Sequence, residues 1–395
     1  MKKTLVLMLL FIFLSFNFII SSLAAENDSL DIPYELSHPT IEVSSKSAVL
    51  MEAETGEILF AKNENEALPP ASVTKIMTLL LVMEAIEDGR ISPDATIPIS
   101  AHAASMGGSQ VFLKEGEYMS VLDLIKCTVI ASANDAAVAL SEYLYGSESA
   151  FVNEMNKKAA ELGMNNTVFE NTTGLDDTVT EHLTSAKDIA IMSRELIKHE
   201  LILKYSSLWQ DTIRGGEFTL TNTNRLVRYY DGCNGLKTGS TDKAGYCISA
   251  TAERDGTKLI AVVMGAETRD ERNSIAKSLL DLGFSNYALY KESEKIVDNI
   301  PVYGANVFSL PVYSEQVCVL INKSHKSKVE KIYSINEYAN APIDKGEVVG
   351  TVKYYVDGKL LCEKNLYLNE TVEKLTVKNI FLGILRTIFS GNFNK

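Results

Sequence analysis

The sequence predicts an α+β fold on three observations: a strand hairpin near the start, a long helical block after it, and strands that return beyond residue 218 before a further helix. Strand signals on both sides of a helical block imply one sheet interrupted by a helical insertion, not a doubly wound sheet. At 395 residues the chain is long enough for a large domain with a full core and a smaller second one.

Residues 1–24 read as a secretory signal: Lys2-Lys3, an apolar run from Leu5 to Ile20, and Ser22-Leu23-Ala24 as a small-x-small cleavage site. An uncleaved anchor is the alternative, although the run is short for a span of about 20 residues. Either way the body is exported. Cleavage removes two lysines and no acid, taking the formal charge from −13 to −15, and such acidity argues against a nucleic-acid partner. The five cysteines, Cys127, Cys233, Cys247, Cys318 and Cys362, are odd in number and lack metal-type spacing. They read as mostly buried free thiols, with a Cys233–Cys247 disulfide left open because exported proteins meet oxidising surroundings.

After a polar leader from Glu26 to Thr40, apolar runs at Ser47–Ala53 and Glu57–Phe60 flank Glu54-Thr55-Gly56, a hairpin signal. Pro69 and Pro70 block a helix, and Ala71-Ser72 then opens one. From Ile76 to Ile86 this helix is apolar on nearly every side, as expected if it is buried all round. Helices are expected over 72–88, 121–131, 134–144, 148–162 and 185–199. Strands return at Cys247–Ala252 and Lys258–Met264, turned by Arg254-Asp255-Gly256, and a helix over 270–283 closes a unit spanning 25–290.

The charged stretch Lys291–Lys295 has no core period and reads as a domain boundary. Beyond it, over 295–370, strands are expected at Asn306–Val312, Gln316–Ile321, Glu347–Val356 and Lys359–Tyr367. Asp357-Gly358 signals a hairpin between the last two. This small β-domain carries no evident chemistry. Over 374–392, Val377, Ile380, Phe381, Ile384, Leu385, Ile388 and Phe389 form one apolar stripe at helical spacing. From Lys374 onward there are four basic residues and no acid, which fits an amphipathic helix on an anionic membrane face. Docking of that stripe on the protein's own core is the alternative.

Three short motifs carry chemistry. In Ser72-Val73-Thr74-Lys75, a spacing of three puts hydroxyl and amine on one helix face, the arrangement of a nucleophile beside its base. The pattern alone is weak: it is expected about once or twice by chance at average composition, and Ser274-Ile275-Ala276-Lys277 repeats it. Ser132-Ala133-Asn134 is also unspecific alone, since Ser-x-Asn recurs at Ser15, Ser334 and Ser390. Lys237-Thr238-Gly239 is rarer, with a chance expectation of roughly 0.1. Order and setting give them weight: the first opens a buried helix, the second lies between two helices, and the third follows Asn234-Gly235 at the start of a strand region.

This motif set is that of class A β-lactamases and penicillin-binding proteins. The chain closely resembles the low-molecular-mass penicillin-binding proteins that act as D-alanyl-D-alanine carboxypeptidases. Ser132–Ala139, Phe169–Leu175 and Gly235–Cys247 resemble that family too, as do the β-domain and basic tail. The resemblance implies a β-lactamase/transpeptidase-like domain, an antiparallel sheet with an inserted helical subdomain, followed by the β-domain and amphipathic helix. It implies removal of the terminal D-alanine from peptidoglycan pentapeptide stems through an acyl-enzyme, covalent inhibition by β-lactams, and no metal or cofactor. Ser72 would be the nucleophile and Lys75 its base, made neutral by burial and a nearby Lys237. Ser132 would pass the proton to the leaving amine, and Asn134 would orient Lys75 and a substrate amide. Lys237 and Thr238 would hold the terminal carboxylate, with Arg272 nearby. The N–H groups of Ser72 and Ser240 would meet the oxyanion. Ser240 stands where the family commonly has a bulkier residue, which bears on substrate preference. For Arg272 the alternative is an exposed arginine at a helix start.

Glu161-Leu162-Gly163-Met164-Asn165 has the spacing with which class A β-lactamases activate a deacylating water. Phe151, Met155, Ala159 and Leu162 form the inner face of that helix, so Glu161 falls on the outer one and Gly163 ends the helix. The five histidines form no metal-type cluster, and His182, just before a helix, reads as structural. The competing readings are a β-lactamase or esterase on the same fold, and a catalytically silent wall-binding protein.

Overall fold

The computed structural model describes residues 31–177 and 179–390. The signal read over residues 1–24 lies outside the described residues, as do Gly391 and Asn392, the last two residues of the expected 374–392 segment.

Five antiparallel strands form the central sheet in the order β2-β1-β5-β4-β3: β1 is Ser47–Glu52, β2 Ile58–Lys62, β3 Cys233–Thr241, β4 Gly245–Arg254 and β5 Thr257–Ala266. Val49 pairs with Val262, so strands from both sides of the helical block share one sheet. Period-two alternation builds two cores. Val49, Met51, Ile260, Val262 and Met264 face the helical block, whereas Ala48, Leu50, Leu259, Ala261 and Val263 face the opposite side.

In the block, a 3-10 turn at Ala71–Thr74 leads into α1 (Lys75–Glu87), so the helix expected over 72–88 comes in two pieces. Every residue from Lys75 to Met83 is buried. Helices α2 (Val121–Ile130), α3 (Asn134–Tyr145) and α4 (Glu148–Glu161) follow as expected. The helix expected over 185–199 ends early as α5 (Ala186–Leu196), and α6 (Glu200–Ser206) starts after His199. The hydroxyls of Ser120, Ser147 and Ser185 accept the N–H three residues on, capping α2, α4 and α5. Two short ribbons had no sequence signal: Thr96–Pro98 with Tyr118–Ser120, and Gln210–Ile213 with Phe218–Thr221. Helix α7 (Arg269–Asn286) covers the second face of the sheet through Ile275, Ala276, Leu279 and Leu280.

Strand β6 (Tyr287–Glu292) leaves α7 directly and pairs with β9 (Val317–Asn322). A six-stranded sheet follows in the order β10-β12-β13-β8-β7-β11, made of β7 (Lys295–Tyr303), β8 (Ser309–Ser314), β10 (Val329–Ile335), β11 (Ala339–Asn340), β12 (Val348–Val356) and β13 (Lys359–Leu368). Asp357 and Gly358 turn β12 into β13 with φ of 48° and 75°, the left-handed pair that a tight hairpin requires. Asp31 pairs with Lys353 at 2.5 Å, and the N–H of Tyr34 donates to the Leu360 carbonyl at 2.8 Å, tying the leader to this sheet. Helix α8 (Val377–Ser390) ends the described chain. No helix among the described residues is long and apolar enough to cross a membrane.

The cysteine reading needs correction. Cys127 and Cys247 are buried, but Cys233 and Cys362 are partly exposed and Cys318 is exposed. All five are free. Cys233 and Cys247 lie on neighbouring strands, yet Cys233 faces Ala252 and Cys247 faces Gly239, so they sit at opposite ends of the ladder and cannot bond.

Candidate active site

Ser72 lies in the 3-10 turn and Lys75 begins α1, which brings Lys75 Nζ to 2.9 Å from Ser72 Oγ. The buried amine also donates to Asn134 Oδ1 at 2.6 Å and to the Thr173 carbonyl at 2.8 Å. Both of those oxygens can only accept. A neutral amine has two N–H groups and one lone pair; once Asn134 and Thr173 take the two N–H groups, the lone pair is left for the Ser72 hydroxyl. Burial, and after it the charge of Lys237, holds the Lys75 pKa well below the ordinary lysine value, with Asp135 a weaker opposing influence.

The turn is clamped from two sides. A Cβ on Gly239 of β3 would come 2.8 Å from Ser72 N and 2.9 Å from the Pro70 carbonyl oxygen, so only glycine lets the strand approach this closely. A Cβ on Gly174 would come 1.8 Å from the Ala71 carbonyl oxygen, at a φ of +81°. Ala71 and Ser132 both adopt positive φ, 49° and 62°, a strained backbone that the packing enforces on either side of the nucleophile.

Ser132 precedes α3, and Lys237 Nζ donates to its Oγ at 2.7 Å and to the Thr238 carbonyl at 2.9 Å. Burial, then the charge of Arg272, lowers the Lys237 pKa to about 7. Thr238 Oγ1 donates to Thr223 Oγ1 at 2.8 Å. Ser72, Ser132, Thr238, Ser240 and Arg272 line one open cleft of ≈ 430 Å³. Arg272 is 3% exposed, so the exposed helix-start reading fails. Its guanidinium donates from Nη2 to Asn273 Oδ1 at 2.9 Å.

Several groups at this site had no sequence signal. Thr173 acts through a carbonyl, which no side-chain pattern reveals. Thr223, Trp209, Arg225 and Arg269 line the cleft from loops and a helix start. Asp135 accepts the N–H groups of Val111 and Leu113 at 3.1 Å, while Asn134 Nδ2 donates to the Gly107 carbonyl at 2.7 Å. Together they pin the 107–113 loop beside the cleft.

His182 has a defined structural task. Its Nδ1 accepts the Glu170 N–H at 2.9 Å, so Nε2–H donates to Thr74 Oγ1 at 2.7 Å, and Thr74 Oγ1 donates to the Ala71 carbonyl at 2.9 Å. Burial lowers its pKa to about 4, keeping it neutral as this chain of bonds requires. Glu161 is exposed at the end of α4, 3.3 Å from Lys158, and does not line the cleft.

Comparison with known proteins agrees with this geometry. The family "D-alanyl-D-alanine carboxypeptidase" matches residues 34–268, and "Penicillin-binding protein 5, C-terminal domain" matches residues 284–374. The D-alanyl-D-alanine carboxypeptidase DacF of Bacillus subtilis is 44% identical over 347 residues, covering 86% of this chain and 87% of its own length. DacC of Escherichia coli is 32% identical, covering 84% and 85%. Among solved structures, penicillin-binding protein 5 of Haemophilus influenzae superposes with a TM-score of 0.73 at 32% identity, covering 86% of this chain and 100% of that one. Penicillin-binding protein D2 of Listeria monocytogenes, in an ampicillin-bound form, gives 0.58 at 34% identity, covering 62% of this chain and 99% of that one. The chain belongs to the D-alanyl-D-alanine carboxypeptidase family of serine peptidases, within the low-molecular-mass penicillin-binding proteins.

Proposed function

We propose that this protein is a serine carboxypeptidase that removes the terminal D-alanine from peptidoglycan pentapeptide stems, and that Ser72 is its nucleophile. The observation that carries the reading is the buried Lys75 amine 2.9 Å from Ser72 Oγ, with acceptor-only partners for both hydrogens of its neutral form. Ser72 Oγ attacks the carbonyl carbon of the penultimate D-alanine while Lys75 takes its proton. The N–H groups of Ser72 and Ser240 stabilise the oxyanion. The C–N bond then breaks, Ser132 relays a proton to the departing amine, and D-alanine leaves. Water cleaves the remaining ester. Lys237, Thr238 and Arg272 supply the positive and hydroxyl groups for the terminal carboxylate, and Asn134 orients Lys75 and a substrate amide. The chemistry needs no metal or cofactor.

A β-lactam carbonyl undergoes the same attack. None of the described cleft-lining residues carries a carboxylate to activate a second water, so the penicilloyl ester should be long-lived. Residues 25–290 form the catalytic unit and 295–370 the β-domain. The chain is exported after loss of residues 1–24, and the basic amphipathic segment over 374–392, which contains α8, holds it peripherally on the outer face of the cytoplasmic membrane. The exposed Val377, Ile380 and Phe381, together with the basic Lys374 and Lys378, support this placement.

The test is incubation with a defined pentapeptide ending in D-Ala-D-Ala, followed by mass spectrometry of the products and of penicillin-treated protein. The expected products are free D-alanine and the tetrapeptide, with a penicilloyl adduct that persists for many minutes. Rapid turnover of penicillin without D-alanine release would instead support a β-lactamase or esterase.

A further inference from the structure

We propose that the tip of the β-domain formed by Tyr303, Phe308 and Tyr338 is a second membrane contact, which seats in the interface of an anionic phospholipid bilayer beside the terminal helix. The inference rests on the reading of α8 as a membrane-surface helix.

Single apolar side chains in water are ordinary on a protein surface, but clustered ones mark a contact surface. Phe308 is 94% exposed, Tyr303 59% and Tyr338 48%. The two tyrosine rings meet edge to face at 5.3 Å between centroids, so they present one surface. Backbone pairing fixes their proximity: Val302 pairs with Ala339 and Tyr303 with Asn340, while Val302 N–H donates to the Phe308 carbonyl at 3.0 Å, folding residues 302–308 into a compact turn. From Ile300 to Ser314 there is not one charged side chain, in a protein where charged residues make up 23%. An aromatic, uncharged loop is the composition that settles at the headgroup level, where a ring is buried and a tyrosine hydroxyl stays wet.

The position of the helix says what covers this tip. Leu375 N–H donates to the Gly304 carbonyl at 2.6 Å, in the same turn. Thr376 caps the helix by accepting the Asn379 N–H at 3.2 Å, and α8 begins at Val377. Only Leu375 and Thr376 therefore connect the tip to a helix with exposed Val377, Ile380 and Phe381 and with Lys374 and Lys378 at its start. A helix lying on a bilayer would bring its own anchor point down to the same surface. Two contacts also fix orientation, which a single helix would not.

The test uses the exported chain with the single substitution Phe308→Trp, mixed with vesicles of phosphatidylglycerol and phosphatidylcholine with or without brominated acyl chains. The unsubstituted chain has one tryptophan, Trp209 in the catalytic cleft, and serves as the blank. Vesicle flotation reports attachment, and bromine quenching reports insertion at position 308. The expected result is flotation of both proteins, with quenching and a blue shift only in the Phe308→Trp variant. The triple change Tyr303→Ser, Phe308→Ser, Tyr338→Ser should weaken vesicle binding about tenfold or more without altering the rate of penicillin acylation. Flotation with no quenching at 308 and an unweakened triple variant would overturn the tip contact while leaving the helix reading intact. Absence of flotation altogether would overturn both.

Discussion

In the catalytic cleft Lys75, Lys237 and Arg272 are at most 3% exposed, whereas at the tip of the β-domain Phe308 is 94% exposed. Each region reverses the usual arrangement, and each reversal works against folding: one removes charge from water, the other leaves apolar surface in it. The two differ in how the cost is met. In the cleft the side chains of Lys75, Lys237 and Arg272 have partners within the chain, among them Asn134, Thr173, Ser132 and Asn273. At the tip the Tyr303 and Tyr338 rings meet each other and Phe308 stands in water. Internal partners suit a site that must be preformed before substrate arrives; the open tip suits a surface completed from outside.

The sharpest way to break this comparison is to remove the nucleophile and keep the buried basic side chains. Ser72→Ala should lower D-alanine release by roughly 10⁴-fold or more with little change in thermal stability. Next, Lys237→Met should slow acylation by about 10² to 10⁴-fold while raising stability at neutral pH by about 1 kcal/mol or more. The sign follows from linkage. The folded Lys237 sheds its proton at about 7 and the unfolded one near 10.5, so between these values the unfolded chain binds more protons and stability rises with pH. In the methionine variant the Lys237 part of that slope should be missing from denaturation curves, leaving the part due to Lys75.

Gly174→Ala tests the clamp on the nucleophile turn. With the new Cβ only 1.8 Å from the Ala71 carbonyl oxygen, it should cost about 2–4 kcal/mol in urea unfolding and slow acylation as well. His182 tests the same clamp through pH. Its folded pKa of about 4 lies below the unfolded value of 6.5, so its contribution is complete above 6.5 and is lost as pH falls toward 4. Melting temperature should drop across that window, and a His182→Leu variant should lack this part of the decline. The smallest effect belongs to Glu161→Gln, which should leave both stability and the lifetime of the penicilloyl adduct unchanged, since the side chain is exposed and remote from the cleft lining.

The sequence was most informative where local signals agreed with the fold. Apolar runs around Glu54-Thr55-Gly56, glycine and asparagine punctuation, and the mostly apolar run from Ile76 placed the hairpin and helices to within a few residues. The turn at Ser72 proved to be 3-10 and not α, but a spacing of three serves both geometries. What stayed hidden depends on pairing between distant segments. Gln210–Ile213 and Phe218–Thr221 are too short and polar to signal as strands, yet they flank the wall that carries Trp209 and Thr221. The Thr173 carbonyl is a backbone group, invisible to any motif. Arg272 sat in a charged run, Arg269-Asp270-Glu271-Arg272, and only the packing of α7 on β4 and β5 turns it inward to the cleft. Cys318 was misread because hydrophobic composition alone does not say which face of an edge strand is covered.

The central claim is that burial keeps the Lys75 amine neutral beside Ser72. Its most direct test is a pH titration of the chain labelled with ζ-15N lysine, followed by NMR and with the Lys75 resonance assigned by Lys75→Arg. A midpoint well below the ordinary lysine value of 10.5 is the predicted result. A midpoint at or above 10.5 would mean that Lys75 is a cation at working pH and cannot be the base, and would contradict the account.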